Sequence, residues 1–384
     1  MISFENTEIA FAGKSNKQLK KAYYLFKLIS YNWMVSIGTP LLKFALAIHF
    51  PIKGLIKNTV FEHFCGGESI KDSSKKIEEL ANYNVKTILD YSVEGKESEE
   101  DFESCKNEVI QTIIRAENTP NIPFCVFKVT GLGPFKVLEK TSNTLLFEGE
   151  EWAKIEKRIF EICTVAFDKK VKVLIDAEET WIQPAIDHLA FKMMVHFNTE
   201  KAFIYNTVQL YRKKGLSYLK QLHADLKAQH KFTGVKIVRG AYMEKERERA
   251  KEMGYESPIQ TTKENTDSDF DKAVEYCIEN INEISVCCGS HNEKSSMYLV
   301  QLMLEKGIAK NDERIYFAQL LGMSDHISYN LAEAGFNVAK YVPYGPVKEV
   351  MPYLIRRANE NTSVAGQTGR ELQLITRELK RRKL

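Results

Sequence analysis

The sequence has no Cys-x-x-Cys pair, no cysteines and histidines at metal-ligand spacing, and no His-Glu-x-x-His among its eight histidines. A zinc centre, structural or hydrolytic, therefore has no support. Nor is there a Gly-x-Gly-x-x-Gly, because Gly131-Leu132-Gly133-Pro134-Phe135 lacks the third glycine and the helix start; a Gly-x4-Gly-Lys-Ser/Thr loop is also missing. Neither a Rossmann-type cofactor domain nor a P-loop is indicated. Lys and Arg together number 54 against 51 Asp and Glu, a balance of +3 that supplies no general attraction to nucleic acid. The most apolar stretch, residues 28–56, is broken by Pro40, Lys43 and Pro51 well before the roughly 20 clean residues of a spanning helix. It reads as a helix packed on the rest of the protein. The start of the chain lacks the apolar block of a secretory signal and the arginine-rich, acid-poor character of a transit peptide, so the expected location is a bacterial-type cytoplasm. The seven cysteines (65, 105, 125, 163, 277, 287 and 288) are odd in number and lie mostly in apolar segments. They read as reduced core thiols.

What is present is a repeat of strand and helix. The 384 residues, 44% of them hydrophobic, are enough for one large barrel or two ordinary domains. From residue 85 onward, eight short runs rich in Val, Ile and Phe alternate with segments of helical period. The runs are VKTILDYS (85–92), FCVFKVT (124–130), VKVLIDAE (171–178), AFIYNTVQ (202–209), GVKIVRGAY (234–242), EISVCCGSH (283–291), RIYFAQLLG (314–322) and NVAKYVPYG (337–345). Intervening helices are expected at 150–167 and 207–229, the latter overlapping its strand. Buried-type runs joined by crossover helices are the pattern of a parallel sheet, and eight such units predict an α/β protein built as a (β/α)8 barrel of the TIM type. Each run ends in polar or glycine-rich residues, among them Asp90, Lys128, Asp176, Gln209, Arg239, His291, Gln319 and Tyr341. In a barrel that edge carries the active site. Three parts follow: an N-terminal helical arm at 1–80 with a helix near 73–83, the barrel at 81–365, and a basic C-terminal helical tail at 366–384. The tail places Leu372, Ile375 and Leu379 on one face and ends in Lys380, Arg381, Arg382 and Lys383, a solvated helix end or a contact for anionic lipid.

Among residues able to do chemistry, the densest group is YLIRRANEN at 353–361, where Tyr353, Arg356, Arg357 and Glu360 share one helix face. Two adjacent guanidinium forks suit a carboxylate or phosphate, with the glutamate steadying one of them, although a surface helix with a local ion pair reads equally well. Lys128 ends an apolar run in which a lysine is costly to bury without a partner or a task, and Asp176 ends the next run. The two can form a buried structural ion pair. Alternatively they face an anionic substrate group, with Lys128 supplying charge and Asp176 positioning its neighbours. Lys236, Arg239, Lys263, Ser290, His291 and Asn292 are individually weak signals for a phosphate-bearing cofactor.

Taken in order, ILDYSVEG, FKVTGLG, LIDAEETWIQPAID, YNTVQLY, VKIVRGAYMEKER, GSHN, YFAQLLGMSD, YVPYGPV and YLIRRANENTS resemble the motif series of the proline dehydrogenase family, over roughly residues 60–365. The match is nearer the stand-alone branch than the long bifunctional fusions. The resemblance implies a distorted (β/α)8 barrel with FAD across the strand ends. It also implies a hydride transfer from C5 of L-proline to the flavin, giving 1-pyrroline-5-carboxylate, with electrons passed to a quinone. Arg356, Arg357 and Lys128 would bind the proline carboxylate, Tyr341, Tyr353 and Tyr242 would surround the ring, and Asp176 would organise the polar side. Flavin contacts would come from Gln209, Lys236, Val238, Arg239, Gly240, Lys263, Ser290, His291, Asn292, Gln319, Arg357 and Glu360. Whether Lys236 or Arg239 sits nearest flavin N5 is left open by the lysine at 236, where many bacterial relatives carry arginine. A quinone acceptor gives the apolar arm and basic tail a use in peripheral contact with the inner face of a bacterial membrane, and a pyrroline-5-carboxylate dehydrogenase is an expected partner. Two further readings stand beside this one: a hydroxyproline dehydrogenase of the same fold, against which Tyr341 argues, and a Schiff-base aldolase using Lys128.

Overall fold

The computed structural model describes residues 2–31, 53–93, 97–363 and 367–384. Most of the apolar stretch at 28–56 lies outside them, as do the side chains of residues 358–363.

All eight expected runs are strands, namely β1 (Val85–Tyr91), β2 (Phe124–Phe127), β3 (Lys172–Ile175), β4 (Ile204–Gln209), β5 (Thr233–Val238), β6 (Ile284–Gly289), β7 (Ile315–Leu320) and β8 (Val338–Tyr344). They form a closed barrel in sequence order, β1 to β8, so the (β/α)8 expectation holds. Parallel pairing needs a crossover for every strand, which the intervening helices supply. The helix expected at 150–167 spans Glu150–Asp168; the one expected to overlap β4 starts later, at Gly215. Its first residue packs directly on the strand end, since a Cβ on Gly215 would lie 2.5 Å from the carbonyl oxygen of Gln209.

Two compact units are distinguished by their internal contacts, Gly95–Ala318 and the pair of segments Met1–Glu94 and Gln319–Leu384. In the first unit, β3 to β6 pair in parallel register, for example Asn206 with Val235 and Lys236 with Cys287, and the strand interiors are buried. In the second, β1 pairs with β8 from Val85↔Val338 to Tyr91↔Tyr344. Its helix Asn16–Ile29 starts with a capping box between Ser15 and Gln18. Leu19, Ala22 and Phe26 of this helix pack against Leu374 and Ile375 of the helix Gln367–Arg381. The basic end of that helix is not wholly solvated: Arg381 and Arg382 both bond Glu378, and Arg382 also donates to the carbonyls of Phe11 and Lys14.

All seven cysteines are free and buried. Burial pushes the thiols of Cys125, Cys277 and Cys287 up to about 12, so almost no thiolate exists at neutral pH. A thiol reagent should therefore label the native protein only at its rate of opening, and all seven sites in denaturant; rapid labelling of any of them in the native protein contradicts this packing.

Candidate active site

In the unit Gly95–Ala318 the C-terminal ends of β2, β3 and β5 converge on one carboxylate. Lys128, just past β2, lies 3.2 Å from Asp176, just past β3, and Lys236 inside β5 donates to the other oxygen of the same carboxylate. Asp176 and Lys236 are nearly fully buried and Lys128 is partly so. Asp176 follows β3, the neighbour of β2, and reaches past β4 to Lys236 on β5; without it two ammonium groups would lie in a poorly hydrated rim with no shared counter-charge. Two lysines on one aspartate leave this trio with a net positive charge of one. The buried ion pair expected between Lys128 and Asp176 is present, and Lys236 joins it.

A second carboxylate beyond β3 was not picked out from the sequence. Glu178 accepts from the backbone N–H of Thr130 at 3.1 Å and from its hydroxyl at 2.6 Å, while its own N–H donates to Gln183 and its carbonyl accepts from Gln209 at 2.8 Å. Gln209, an expected flavin contact, is thereby fixed at the end of β4. Burial pushes the Glu178 carboxyl up to about 7, against the pull of Thr130. The adjoining Glu179 pairs with Lys245, and Glu246 accepts from both the N–H and the hydroxyl of Thr180.

Arg239 takes a different place from Lys236. Its guanidinium lies 4.3 Å over the Phe270 ring and donates to Asp267 at 2.6 Å and to Ser290 and Ser295 at 2.9 Å each. Lys263 also pairs with Asp267. Burial works against the charge on Asp267, but Lys263 and Arg239 hold its carboxyl below the usual range. Asn292 caps the helix Glu293–Glu305 by accepting from the N–H groups of Lys294 and Ser295, and its own N–H donates to Ser290. His291 is half-buried beside them. Val238 closes β5, its carbonyl accepting from Leu210. Gly240 has φ +135°, and a Cβ there would lie 2.5 Å from the Tyr211 ring, so no other residue fits. Tyr242, half-buried, precedes the helix Met243–Met253 and receives the N–H of Glu246 on its carbonyl.

In the other unit the helix Met351–Ser363 carries the arginine pair. The Arg357 guanidinium lies 5.2 Å over the ring of Tyr353, one turn earlier, and is buried; Arg356 is half-buried. Tyr353 sits in an apolar cluster with Phe64, Met323, Val350 and Leu354. Sequence spacing suggested that Glu360 steadies Arg357; its side chain lies outside the described residues, and the partner seen is the Tyr353 ring, a cation–π contact. Tyr341 is buried on β8, its carbonyl accepting from Leu321, and Gln319 near the end of β7 accepts from Ser328 at 2.8 Å.

The donor chemistry suits a flavin dinucleotide: amide and ammonium donors at β4 and β5 for a ring edge, and Arg239, Lys263 and the N-terminus of the helix Glu293–Glu305 for a pyrophosphate. A parallel (β/α)8 barrel with ionisable groups at its strand ends defines the class as a barrel enzyme. The profile of the family described as Proline dehydrogenase matches residues 73–370, and the chain belongs to that family. The protein named Proline dehydrogenase 1, mitochondrial, of Dictyostelium discoideum is 32% identical, covering 98% of this chain and 74% of that protein. The human protein of the same name is 42% identical over 60% of this chain and 39% of its own length. The carbapenem antibiotics biosynthesis protein CarD of Pectobacterium carotovorum subsp. carotovorum is 33% identical with 86% of each chain covered. Among solved structures, proline utilization A from Bdellovibrio bacteriovorus, inactivated by N-propargylglycine, superposes with a TM-score of 0.73 at 20% identity. That match covers 93% of this chain and 38% of that one, and shows the shared fold. Among the described residues no helix is long and apolar enough to cross a membrane, and no group of His, Cys, Asp and Glu could hold a metal.

The raised carboxyl of Glu178 yields a test. A native value near 7 against an ordinary 4.5 means that the folded state binds more protons between those pH values, so stability falls as pH rises through that window. At roughly 1.4 kcal/mol per pH unit the cost of ionisation at pH 8 is on the order of 3 kcal/mol. Glu178→Gln keeps an acceptor for Thr130 and removes the ionisation, so its urea-unfolding stability should vary less between pH 5 and 8 than the wild type's. Parallel pH profiles for the two proteins would contradict the shift.

Proposed function

We propose that this enzyme uses FAD to oxidise L-proline to 1-pyrroline-5-carboxylate, the first step of proline catabolism, and passes the electrons to a quinone. The observation that carries the reading is the Lys128–Asp176–Lys236 cluster at the strand ends of a chain belonging to the proline dehydrogenase family. Residues 81–365 form the catalytic barrel, with 1–80 as an arm and 366–384 as a tail.

In this reading Lys128, Arg356 and Arg357 bind the substrate carboxylate, for which charge-assisted forks are suited. Tyr341, Tyr353 and Tyr242 confine the ring and exclude water. Gln209, Lys236, Val238, Gly240, Ser290, His291, Gln319, Arg357 and Glu360 hold the flavin ring and its neighbourhood, and Arg239, Lys263 and Asn292 its phosphates. The bound flavin supplies the hydride acceptor that no side chain can provide. Lys236, which reaches into the rim to Asp176, would be the cation nearest flavin N5, because Arg239 turns outward onto the Phe270 ring. The protein's own contribution is orientation, which can lower a barrier by roughly 7–11 kcal/mol. The proline nitrogen must be neutral for its lone pair to assist, so turnover rises with pH.

The aldolase alternative needs an unpaired nucleophilic lysine at 128, whereas Lys128 is ion-paired with Asp176 at 3.2 Å. Hydroxyproline is the nearest competing substrate, and Tyr341 crowds a ring substituent. The quinone acceptor, peripheral contact of arm or tail with the inner face of the bacterial membrane, and a pyrroline-5-carboxylate dehydrogenase taking up the imine complete the proposal.

Purified protein should be yellow and should bleach under anaerobic proline. Arg356→Met and Arg357→Met should each raise the KM for proline at least tenfold, as expected for charge-assisted bonds of about 1.5–3 kcal/mol. Colourless protein that borohydride traps on Lys128 with a carbonyl substrate would establish the aldolase reading instead, and a higher kcat/KM for hydroxyproline than for proline would reassign the substrate.

A further inference from the structure

The tail helix Gln367–Arg381 reaches an expected cofactor residue through a chain of buried polar groups. Glu371 on this helix is 2% exposed and accepts the backbone N–H of Ser324. Ser324 has φ +52°, a left-handed conformation that a serine adopts only when its surroundings impose it, and it stands at the N-terminus of the helix Asp325–Glu333 without capping it. One turn on, the Ser328 hydroxyl, fully buried, donates to Oε1 of Gln319 at 2.8 Å; it also lies 3.3 Å from the carbonyl of Ser324. The bond to Ser328 fixes which end of the Gln319 amide faces the helix and turns its NH2 end the other way.

The segment linking Gln319 to Ser324 is held from a second side. Gly322 has φ +79°, and a Cβ there would lie 2.5 Å from the carbonyl oxygen of His63. The ring of His63 donates through Nε2 to the Gly322 carbonyl at 2.9 Å. Burial, reinforced by Lys14, pushes that imidazole down to about 3, so it stays neutral and keeps one fixed donor. Asp325 is tied by Lys340 at 2.8 Å and Lys14 at 2.9 Å, and His326 lies 3.9 Å from Glu371. The loop after β7 is therefore fixed at 322, 324 and 325.

We propose that Glu371 is a positioning residue for the flavin site: through Ser324 and Ser328 it orients the Gln319 amide that the bound flavin meets. This rests on the functional reading above and deepens it, giving the tail helix a role in the active site rather than at a lipid surface alone. Burial pushes the Glu371 carboxyl up, but its oxygen needs no charge to accept the Ser324 N–H, and that bond holds the left-handed serine in place.

The test is FAD binding to apoprotein by flavin-fluorescence quenching, with the visible flavin spectrum and thermal unfolding read on the same samples. Glu371→Ala and Ser328→Ala should each weaken FAD binding about tenfold and shift the flavin band. The double variant should be no worse than the poorer single, since both act through one chain. Glu371→Gln, which keeps an acceptor for the Ser324 N–H, should restore most of the affinity. Glu378→Ala, on the same helix but bonded to Arg381 and Arg382, should lower the Tm without changing FAD affinity. Unchanged FAD affinity in Glu371→Ala or Ser328→Ala, or equal loss in Glu378→Ala, overturns the inference while the functional reading stands. A wild type that binds no FAD overturns both.

Discussion

Two lysines share one aspartate at the strand ends of the barrel, and that sharing sets what else can be there. Lys128 and Lys236 come from β2 and β5, with Asp176 just past β3, so three strand ends are tied by one carboxylate in a nearly buried rim. Each lysine enters the rim with a carboxylate oxygen of Asp176 as its partner, Oδ2 for Lys128 and Oδ1 for Lys236. A rim made this way has its charged groups placed by one another, through contacts within the chain itself.

A parallel arrangement recurs one layer out. Asp267 takes Arg239 and Lys263 as Asp176 takes Lys128 and Lys236, and Ser290 and Ser295 complete the Arg239 fork. These contacts hold the loop after β6 against the helix Lys263–Glu279, and they explain why two cations three residues apart in VKIVRGAY serve different ends. Alternation along β5 and its extension sends Lys236 to the rim, whereas Arg239, past the strand, turns onto Phe270.

Much of this was legible in the sequence because strand periodicity and burial are strong, local signals. The eight runs match eight strands to within a few residues, and the Lys128–Asp176 pair followed from the cost of ending apolar runs in charge. The arginine helix was also placed by spacing. What was missed shares a physical character: it depends on which groups of distant segments meet. Glu178 stands beside Asp176 in DAEE and looks like a solvated acid until burial and Thr130 are seen. Asp267 is one of several acids in TTKENTDSDFD, and only the fold brings it to Arg239. The Tyr353 ring under Arg357, one turn back, is a contact that spacing left out, while the side chain of Glu360 lies outside the described residues. The basic end of the tail is legible in the sequence, whereas the burial of Glu371 and Glu378 on the same helix is not.

The most direct measurement of the central claim is anaerobic, proline-dependent flavin reduction in Asp176→Asn, a change that keeps the shape and removes the charge. Loss of the shared counter-charge should slow reduction at saturating proline by at least a hundredfold, a barrier increase of about 2.7 kcal/mol, while the barrel stays folded by circular dichroism. Reduction at the wild-type rate in a folded Asp176→Asn protein would show that the two lysines hold their places without it and would contradict the account.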